Sequence, residues 1–272
     1  MAYFDERKLR KFLKDIGGKY IHASNIQKKL DKGKHLSFLF ECADRYKIFH
    51  EKFNIDDIDA TVISWNEYLN FVQKNNKFSP QSKFESTILE ESVYRMFSIF
   101  ENEVVKIGNI KAYSNLYFSP IDFVDFKERS VVKINTKDQD FAIYKRASIK
   151  ISDSAEDIET YIPVVAMECK TYLDKTMLEG SIATAEKIKN GNPYCRFCIV
   201  TGFYEVDKKV DIKHSRIDQI YVLNKDAKRK DNAKSSSISP DVIKLIFDET
   251  KEHLDQKWSD VEQKIKTKGV TL

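Results

Sequence analysis

The chain has little of what disordered, secreted or membrane-spanning proteins are made from. Its 272 residues include only 8 glycines and 5 prolines, which argues against a loop-dominated protein. The N-terminal stretch MAYFDERKLRKFLKD lacks the apolar core of a signal peptide. No segment approaches the roughly 18 apolar residues needed to cross a bilayer, and the four cysteines show no disulfide framework. We therefore expect a soluble cytoplasmic protein of the prokaryotic intracellular type, with reduced thiols and no membrane partner.

Charge of neither sign dominates. The chain has 46 basic and 42 acidic residues, for a net charge of +4. This balance neither demands nor excludes a nucleic-acid partner, so local clusters of charge are more informative than the sum. Hydrophobic residues make up 42% of the chain, enough to bury a core beneath a strongly charged surface.

Apolar residues recur at helical spacing through the first 80 residues, in segments at about 9–16, 35–53 and 56–74. The polar stretch KNNKFSPQS at 74–82 then separates this part from the rest. We predict two regions: a helical N-terminal region, 1–80, and a second region, 81–272, that ends in a helix.

The pattern of the second region alternates between helix and strand. A long amphipathic helix is predicted from residue 82, and a terminal helix at about 240–266. Between them come strands at about 104–108, 140–151 and 161–170, a helix at 174–190, and strands at 195–202 and 217–223. The order predicts an α/β fold with a mixed sheet flanked by helices.

Two of these predicted strands carry a group of charged side chains. Asp140 opens one strand, and the other ends in Glu168-Cys169-Lys170. Because side chains alternate along a strand, Glu168 and Lys170 share a face. The 28-residue gap (168 − 140) suits antiparallel strands joined by the polar hairpin SDSAEDIET. Two carboxylates beside an ammonium group can hold a divalent metal ion and a water molecule, which is the equipment for phosphodiester hydrolysis. From residue types alone, a solvated salt bridge at the strand ends explains them equally well.

These residues resemble the signature of the PD-(D/E)xK nuclease superfamily, with Gln139 in place of its proline. Three stretches are similar, more narrowly, to restriction endonucleases of the BbvCI type: KFESTILEESVYRMF at 83–97, KDQDFAIYK at 137–145 and YIPVVAMECKTYLDKTM at 161–177. The resemblance covers roughly residues 82–200. It implies that 81–272 is a nuclease core of a helix, three strands, a helix and a strand, followed here by the C-terminal helix. The helical region 1–80 is then expected to serve DNA recognition or subunit contact.

The resemblance also implies an activity. It indicates a subunit of a type II restriction endonuclease that cuts double-stranded DNA at a short specific site, with Mg²⁺ as cofactor and Mn²⁺ as a substitute. Each active site cuts one strand and leaves 5′-phosphate and 3′-hydroxyl. A dimer follows, formed with a homologous second subunit or with another copy of the chain.

By this resemblance, Asp140 and Glu168 are metal ligands and the backbone carbonyl of Cys169 is a third. Lys170 either orients and helps to deprotonate the attacking water or offsets the charge that builds on the phosphorus centre. The first role suits a lysine whose pKa is lowered by desolvation and a neighbouring metal ion.

A fourth catalytic residue is predicted on the helix that begins near residue 82. Glu90 lies at the edge of its apolar stripe and can reach the sheet, whereas Glu91 lies about 100° further round, away from it. Glu90 is therefore the better candidate. The bland alternative is a solvated helix glutamate. Glu179, on the next helix, is a weaker candidate.

Basic residues are candidate DNA contacts in two places. Lys145 and Arg146 follow the strand segment that Asp140 opens. The serine-rich stretch 225–240 supplies Lys225, Lys228, Arg229 and Lys230, although such a run is usually only a solvated loop.

The pair Cys195-x-x-Cys198 raises the possibility of zinc. A structural zinc site needs four ligands, however, and only His214 follows nearby, so a buried strand is the better reading.

Two rival functions remain at the level of sequence. One is another nuclease on the same core, for repair or structure-specific cleavage. The other is a non-catalytic DNA-binding or partner subunit. Cleavage of a defined duplex sequence separates the first from a restriction enzyme, and specific binding without metal-dependent cleavage favours the second.

Overall fold

The structure, a computed structural model, describes residues 5–79, 82–128, 132–150, 157–207, 209–225, 237–256, 258 and 261–269. Over these residues the helices are α1 Glu6–Ile16, α2 Ile21–Asp31, α3 Leu36–Lys52, α4 Ile58–Asn75, α5 Ser86–Met96, α6 Phe123–Glu128, α7 Lys175–Gly191, α8 Pro240–Asp255 and α9 Val261–Lys268. The strands are β1 Val105–Phe118, β2 Val132–Ile149, β3 Ile158–Lys170, β4 Arg196–Thr201 and β5 Gln219–Val222.

These five strands form one mixed sheet in the order β1-β2-β3-β4-β5. The first three strands pair antiparallel, and β4 and β5 continue parallel to β3. The crossover from β3 to β4 is made by α7, as a parallel pair requires a long connection. The predicted α/β fold with a mixed sheet is confirmed, and so is the order of helix, three strands, helix and two strands.

Successive side chains of the central strands enter two separate layers of core. On β2 and β3, Ala142 and Ala166 face α7, which contributes Leu178 and Ala185 to the same cluster. Their neighbours Phe141 and Met167 face the opposite side, where α5, α8 and the N-terminal helices pack. Because the sheet is covered on both faces, its central strands are rich in small and apolar residues rather than alternating with polar ones.

The N-terminal helices share a hydrophobic core with the sheet. Leu13 of α1, Trp65 of α4 and Met167 of β3 belong to one cluster of buried residues. Helix α5 lies inside this cluster, so that even its polar Thr87 and Ser92 are buried. The division at residue 80 remains a prediction.

Several local predictions differ from the structure. Helix α2 was not predicted, and neither was α6. Strands β1 and β2 are longer than their predicted segments, and α5 is shorter, giving way to a 3₁₀ turn at Ser98–Phe100. The predicted terminal helix is two helices, α8 and α9, because the backbone turns extended at Gln256. Most of the predicted hairpin SDSAEDIET lies outside the described residues.

No helix among the described residues is long and apolar enough to cross a membrane.

Candidate active site

Asp140 lies at a β-bulge between β1 and β2. Over one interval of the pairing, β1 has a single residue, Asn109, where β2 has two, Asp140 and Phe141. A bulge of this kind bends the strand and re-aims side chains, and bulges are common beside active sites. The neighbouring Gly108 has φ +136°, a conformation that favours glycine. Local irregularity of the backbone thus sets the direction of the first acidic side chain.

The pairing of β2 with β3 brings the two acidic residues together. Phe141 pairs with Met167, and the next step in the same antiparallel register places Asp140 opposite Glu168. The backbone N–H of Cys169 donates a hydrogen bond to Asp140 Oδ2 at 2.9 Å. The strand ends predicted to converge therefore do so through the sheet itself.

The end of β3 presents its charged side chains toward α7. Glu168 and Lys170 share a face with Ala166, while Cys169 points into the opposite core and is 4% exposed. Glu168 is nearly buried, at 9% exposure, and its Oε2 accepts a hydrogen bond of 2.6 Å from Ser181 Oγ on α7. The carboxylate is thus desolvated but retains a neutral donor.

Lys170 lies between the two carboxylates. Its Nζ is 3.2 Å from Glu168 Oε2 and 3.7 Å from Asp140 Oδ2. Burial lowers the pKa of Lys170, but Glu168 and Asp140 raise it by more, so that its pKa lies above the ordinary value. The lowered pKa that we expect for a lysine beside a bound metal ion is not what the two carboxylates alone produce.

The donor set fits a hard divalent cation. Each acid directs one oxygen at a protein donor and at Lys170; within the described residues, no hydrogen bond or ion pair engages Asp140 Oδ1 or Glu168 Oε1. Among those residues no group of three or more acidic, histidine or cysteine side chains forms a ready-made metal cage. Mg²⁺ does not require one, because it is commonly bound by one or two carboxylates together with waters and substrate phosphates.

The backbone carbonyl of Cys169 is on the correct edge of the strand for its predicted role. The N–H of Cys169 faces β2, since it donates to Asp140. In a strand the N–H and C=O of one residue point to the same side, so this carbonyl also faces Asp140. By contrast, the carbonyl of Lys170 accepts from the N–H of Gly202, on the β4 side.

Glu90 approaches the same group of charges from α5. It is 8% exposed and, together with Asp140, lines a cleft of about 710 Å³ that is closed on the other side by the α1–α2 connection at Gly17–Tyr20. Burial raises the pKa of Glu90 and the negative charge of Asp140 raises it further, whereas Lys83, a hydrogen bond with Ser86 and Lys170 lower it. The structure thus brings Glu90 within electrostatic reach of the strand-end residues.

Glu91 has a different place from the one we expected. The helical angle predicted that it would lie away from the buried face, yet it is 1% exposed. Its Oε2 accepts from the backbone N–H of His22 at 2.9 Å, and its Oε1 accepts from Tyr46 OH at 2.7 Å. The expectation fails because α5 has two buried faces, one toward the sheet and one toward the N-terminal helices.

Comparison with known proteins now gives this geometry a context. The family model of the Bpu10I restriction endonuclease matches residues 81–239, more than half of the chain. The chain belongs to the Bpu10I restriction endonuclease family. A solved structure described as the native BbvCI A2B2 tetramer resembles this endonuclease with a TM-score of 0.67 and 19% identity, over 94% of this chain and 98% of that chain. At that identity the likeness shows the fold alone. Comparison with curated protein sequences gave no match.

Family membership confirms the central functional prediction. This is a type II restriction endonuclease, a site-specific nuclease that acts on DNA, and it carries the core expected of the BbvCI type. Restriction endonucleases generally use a divalent metal ion. The predicted roles of the individual site residues remain predictions.

The candidate DNA contacts of the endonuclease do not gather at the acidic group. Lys145 and Arg146 are exposed, five and six residues along β2 from Asp140, which corresponds to about 17–20 Å of strand. Arg146 lies 3.9 Å from Glu159. Lys225 pairs with Asp241 at 3.1 Å. The other three candidates, Lys228, Arg229 and Lys230, lie outside the described residues.

The two cysteines once considered for zinc lie in different parts of the core. Cys195 belongs to the cluster on the α7 side of the sheet and Cys198 to the cluster on the other side. Both thiols are free and buried, and burial raises the pKa of Cys198 to about 12. Both contribute to hydrophobic packing.

Sequence reasoning did not single out Ser181, which contacts Glu168 directly. A serine inside a helix gives no signal by itself. Only the packing of α7 across the end of β3 turns it into a neighbour of the acidic group.

Proposed function

We propose that the endonuclease hydrolyses DNA phosphodiester bonds at Asp140, Glu168 and Lys170, with Mg²⁺ as cofactor. The observation that carries the proposal is the convergence of two carboxylates on one ammonium group, at the ends of adjacent strands. Among the residues that the structure describes, one oxygen of each carboxylate has no hydrogen-bond partner. The products expected from the family are 5′-phosphate and 3′-hydroxyl ends. Mn²⁺ is expected to substitute for Mg²⁺.

Asp140, Glu168 and the carbonyl of Cys169 are the groups that would hold the cation. The bound Mg²⁺ would supply Lewis acidity to the scissile phosphate and its attacking water. Lys170, desolvated among carboxylates, carries a positive charge that offsets the negative charge developing on the phosphoryl oxygens. The other predicted role, in which Lys170 orients and helps to deprotonate the attacking water, remains the alternative for the same side chain.

Glu90 adds a further carboxylate to the cleft. We infer that it orients water or the cation from the α5 side, since it is buried next to Asp140 rather than solvated. The wall of that cleft at Gly17–Tyr20 comes from the N-terminal region. This supports a role for residues 1–80 in holding DNA at the site.

One chain contributes one such constellation within its described residues, and a duplex has two strands. We propose that double-strand cleavage requires a second subunit, either a homologous partner or another copy of this chain. The solved relative is described as a tetramer of two kinds of subunit, A2B2, which supports the homologous partner. Double-strand cleavage that occurs only when a second, related chain is added would support the homologous partner directly.

The principal test compares cleavage by variants of Glu168 and Lys170 with cleavage by a variant of another glutamate, Glu179. Glu168→Gln and Lys170→Ala should leave the fold intact and lower cleavage by on the order of 10²–10⁴-fold. Glu179→Gln is the matched control, because Glu179, the weaker candidate from the sequence, is exposed on α7, and its ion pair among the described residues is with Lys175, at 3.8 Å. The substrate is a long sequenced DNA with Mg²⁺, resolved on native and denaturing gels.

Discrete fragments or nicks that Glu168→Gln removes and Glu179→Gln retains are the expected result. Nicks without double-strand breaks would point to a missing second subunit. Cutting by Glu168→Gln or Lys170→Ala at the unaltered rate would show that the assignment of the site is wrong. Specific binding with no cleavage in either metal, even with a related partner present, would favour a non-catalytic subunit.

A further inference from the structure

Ser181 differs in its hydrogen bond from Thr184 and Ser92, two other hydroxyl residues buried in helices. Thr184, one turn later on α7, donates to the carbonyl of Gly180 at 2.9 Å, and Ser92 on α5 donates to the carbonyl of Ile88 at 2.8 Å. This bond to the preceding turn is the ordinary outcome for such residues. Ser181 instead donates across to Glu168 Oε2 at 2.6 Å.

The contact is sealed from solvent. Ser181 is 1% exposed and Glu168 9%. A buried carboxylate needs donors to offset its desolvation, and within the described residues Glu168 has Ser181 Oγ and Lys170 Nζ, both directed at the same oxygen, Oε2. Two donors on one oxygen restrict rotation of the carboxylate about its terminal bond. Oε1 is then the oxygen presented to a ligand.

Metal and phosphate chemistry is sensitive to the aim of such an oxygen. A ligand that is free to rotate must be ordered when the cation binds, and the cost appears as weaker binding and slower reaction. Residues that hydrogen-bond to metal ligands often change metal affinity or activity 10–100-fold when removed. A rigid helix packed across the strand end is well suited to hold one ligand in place.

We propose that Ser181 is a positioning residue that orients Glu168 for divalent cation binding and cleavage. The inference rests on the proposed function of Glu168. It gives α7 a part in the site beyond its role as a crossover between β3 and β4. Ser181 itself contacts neither the substrate nor the cation.

The test compares Ser181→Ala with Thr184→Val. Both remove a buried hydroxyl from the same helix, but only the first hydroxyl touches Glu168. Mn²⁺ binding is measured by isothermal titration calorimetry on the purified chain without DNA. The use of the cation in the reaction is measured separately, as the Mg²⁺ dependence of the single-turnover cleavage or nicking rate. Ser181→Ala should weaken Mn²⁺ binding and lower the rate at limiting Mg²⁺ by about 10–100-fold. KM for DNA should change little.

Thermal unfolding separates orientation from folding. Ser181→Ala and Thr184→Val should lose similar stability, and Ser181→Thr, which keeps the hydroxyl, should recover part of the Mn²⁺ affinity. If Ser181→Ala bound Mn²⁺ as tightly as the unaltered chain, and Glu168→Gln abolished Mn²⁺ binding, the inference about Ser181 would be overturned. If Glu168→Gln bound Mn²⁺ as well as the unaltered chain, the proposed function would fail, and this role for Ser181 with it.

Discussion

Glu90 and Glu91 are consecutive, chemically identical and both buried, yet they belong to different parts of the molecule. Glu91 faces the N-terminal helices and accepts from Tyr46 OH and from backbone N–H groups of α2. Glu90 faces the sheet, where Asp140 lies close enough to raise its pKa. Glu91 accepts hydrogen bonds from three donors, whereas the largest charge effect on the pKa of Glu90 comes from a like charge, Asp140. The first arrangement stabilises a fold, and the second is the kind maintained at functional sites despite its cost.

The helix that carries both residues therefore connects two tasks. On one side it closes the core of the N-terminal helices, and on the other it supplies a wall of the cleft that Glu90 and Asp140 line. A shift of α5 would move the carboxylates of Glu90 and Glu91 together. The comparison predicts that substitutions at the two positions separate cleanly into losses of stability and losses of activity.

The largest effect is expected at Glu91. Glu91→Ala would leave Tyr46 OH and the first N–H groups of α2 without their acceptor, at a cost of about 3 kcal/mol in the free energy of unfolding. Urea denaturation followed by circular dichroism measures it, with Glu91→Gln as the milder variant. Glu90→Ala is the matched control. A smaller loss at Glu91 than at Glu90 would contradict the assignment of the two roles.

The complementary effect is expected at Glu90. Glu90→Gln should slow cleavage at saturating DNA by about 10–100-fold. Its free energy of unfolding should stay the same or rise, since removal of the charge relieves repulsion by Asp140. Single-turnover cleavage and urea denaturation on the same preparation test both halves. Unchanged cleavage would place Glu90 outside the catalytic group and leave it a helix glutamate of the cleft wall.

Features that depend on neighbouring residues could be predicted from the sequence, whereas features that depend on the packing of separate segments could not. Strand alternation and the 28-residue spacing were enough to bring Asp140 near Glu168, because both follow from antiparallel pairing. The bulge at Asp140 and the contact from Ser181 could not be predicted, since each depends on how separate segments pack. The proximity of the two acidic residues could thus be predicted from two strands, but the contacts that hold them in place could not.

The missed helix α2 teaches the same lesson at the level of secondary structure. Its N-cap, Tyr20, makes no side-chain hydrogen bond, and the acceptor for its first N–H groups is Glu91, 69 residues from His22. No start signal exists in the local sequence. The end of α8 is similar: the carbonyl of His253 is satisfied by the indole N–H of Trp258 at 2.7 Å, and neither glycine nor proline marks the break.

The smallest predicted effect concerns acid stability on the Glu91 side of α5. His22 is fully buried between Thr87 and Tyr68, and burial lowers its pKa to about 3. The unfolded chain therefore binds the proton first, near pH 6.5, and the neutral imidazole's contribution to stability is complete above that pH and lost progressively as pH falls toward 3.

At pH 5.5, one unit below the unfolded pKa, this linkage amounts to about 1.4 kcal/mol, since each pH unit below that pKa costs about 1.4 kcal/mol. Urea denaturation gives the free energy of unfolding of the unaltered chain and of His22→Gln at pH 7.5 and at pH 5.5. The contribution of His22 is the loss between the two pH values in the unaltered chain minus the same loss in the variant. His214→Gln removes an exposed imidazole and should keep the unaltered dependence. Identical pH dependence in the His22 and His214 variants would show that His22 is protonated as readily in the folded state as in the unfolded one. The interpretation of His22 as a buried, neutral imidazole that packs against the Glu91 face of α5 would then be wrong.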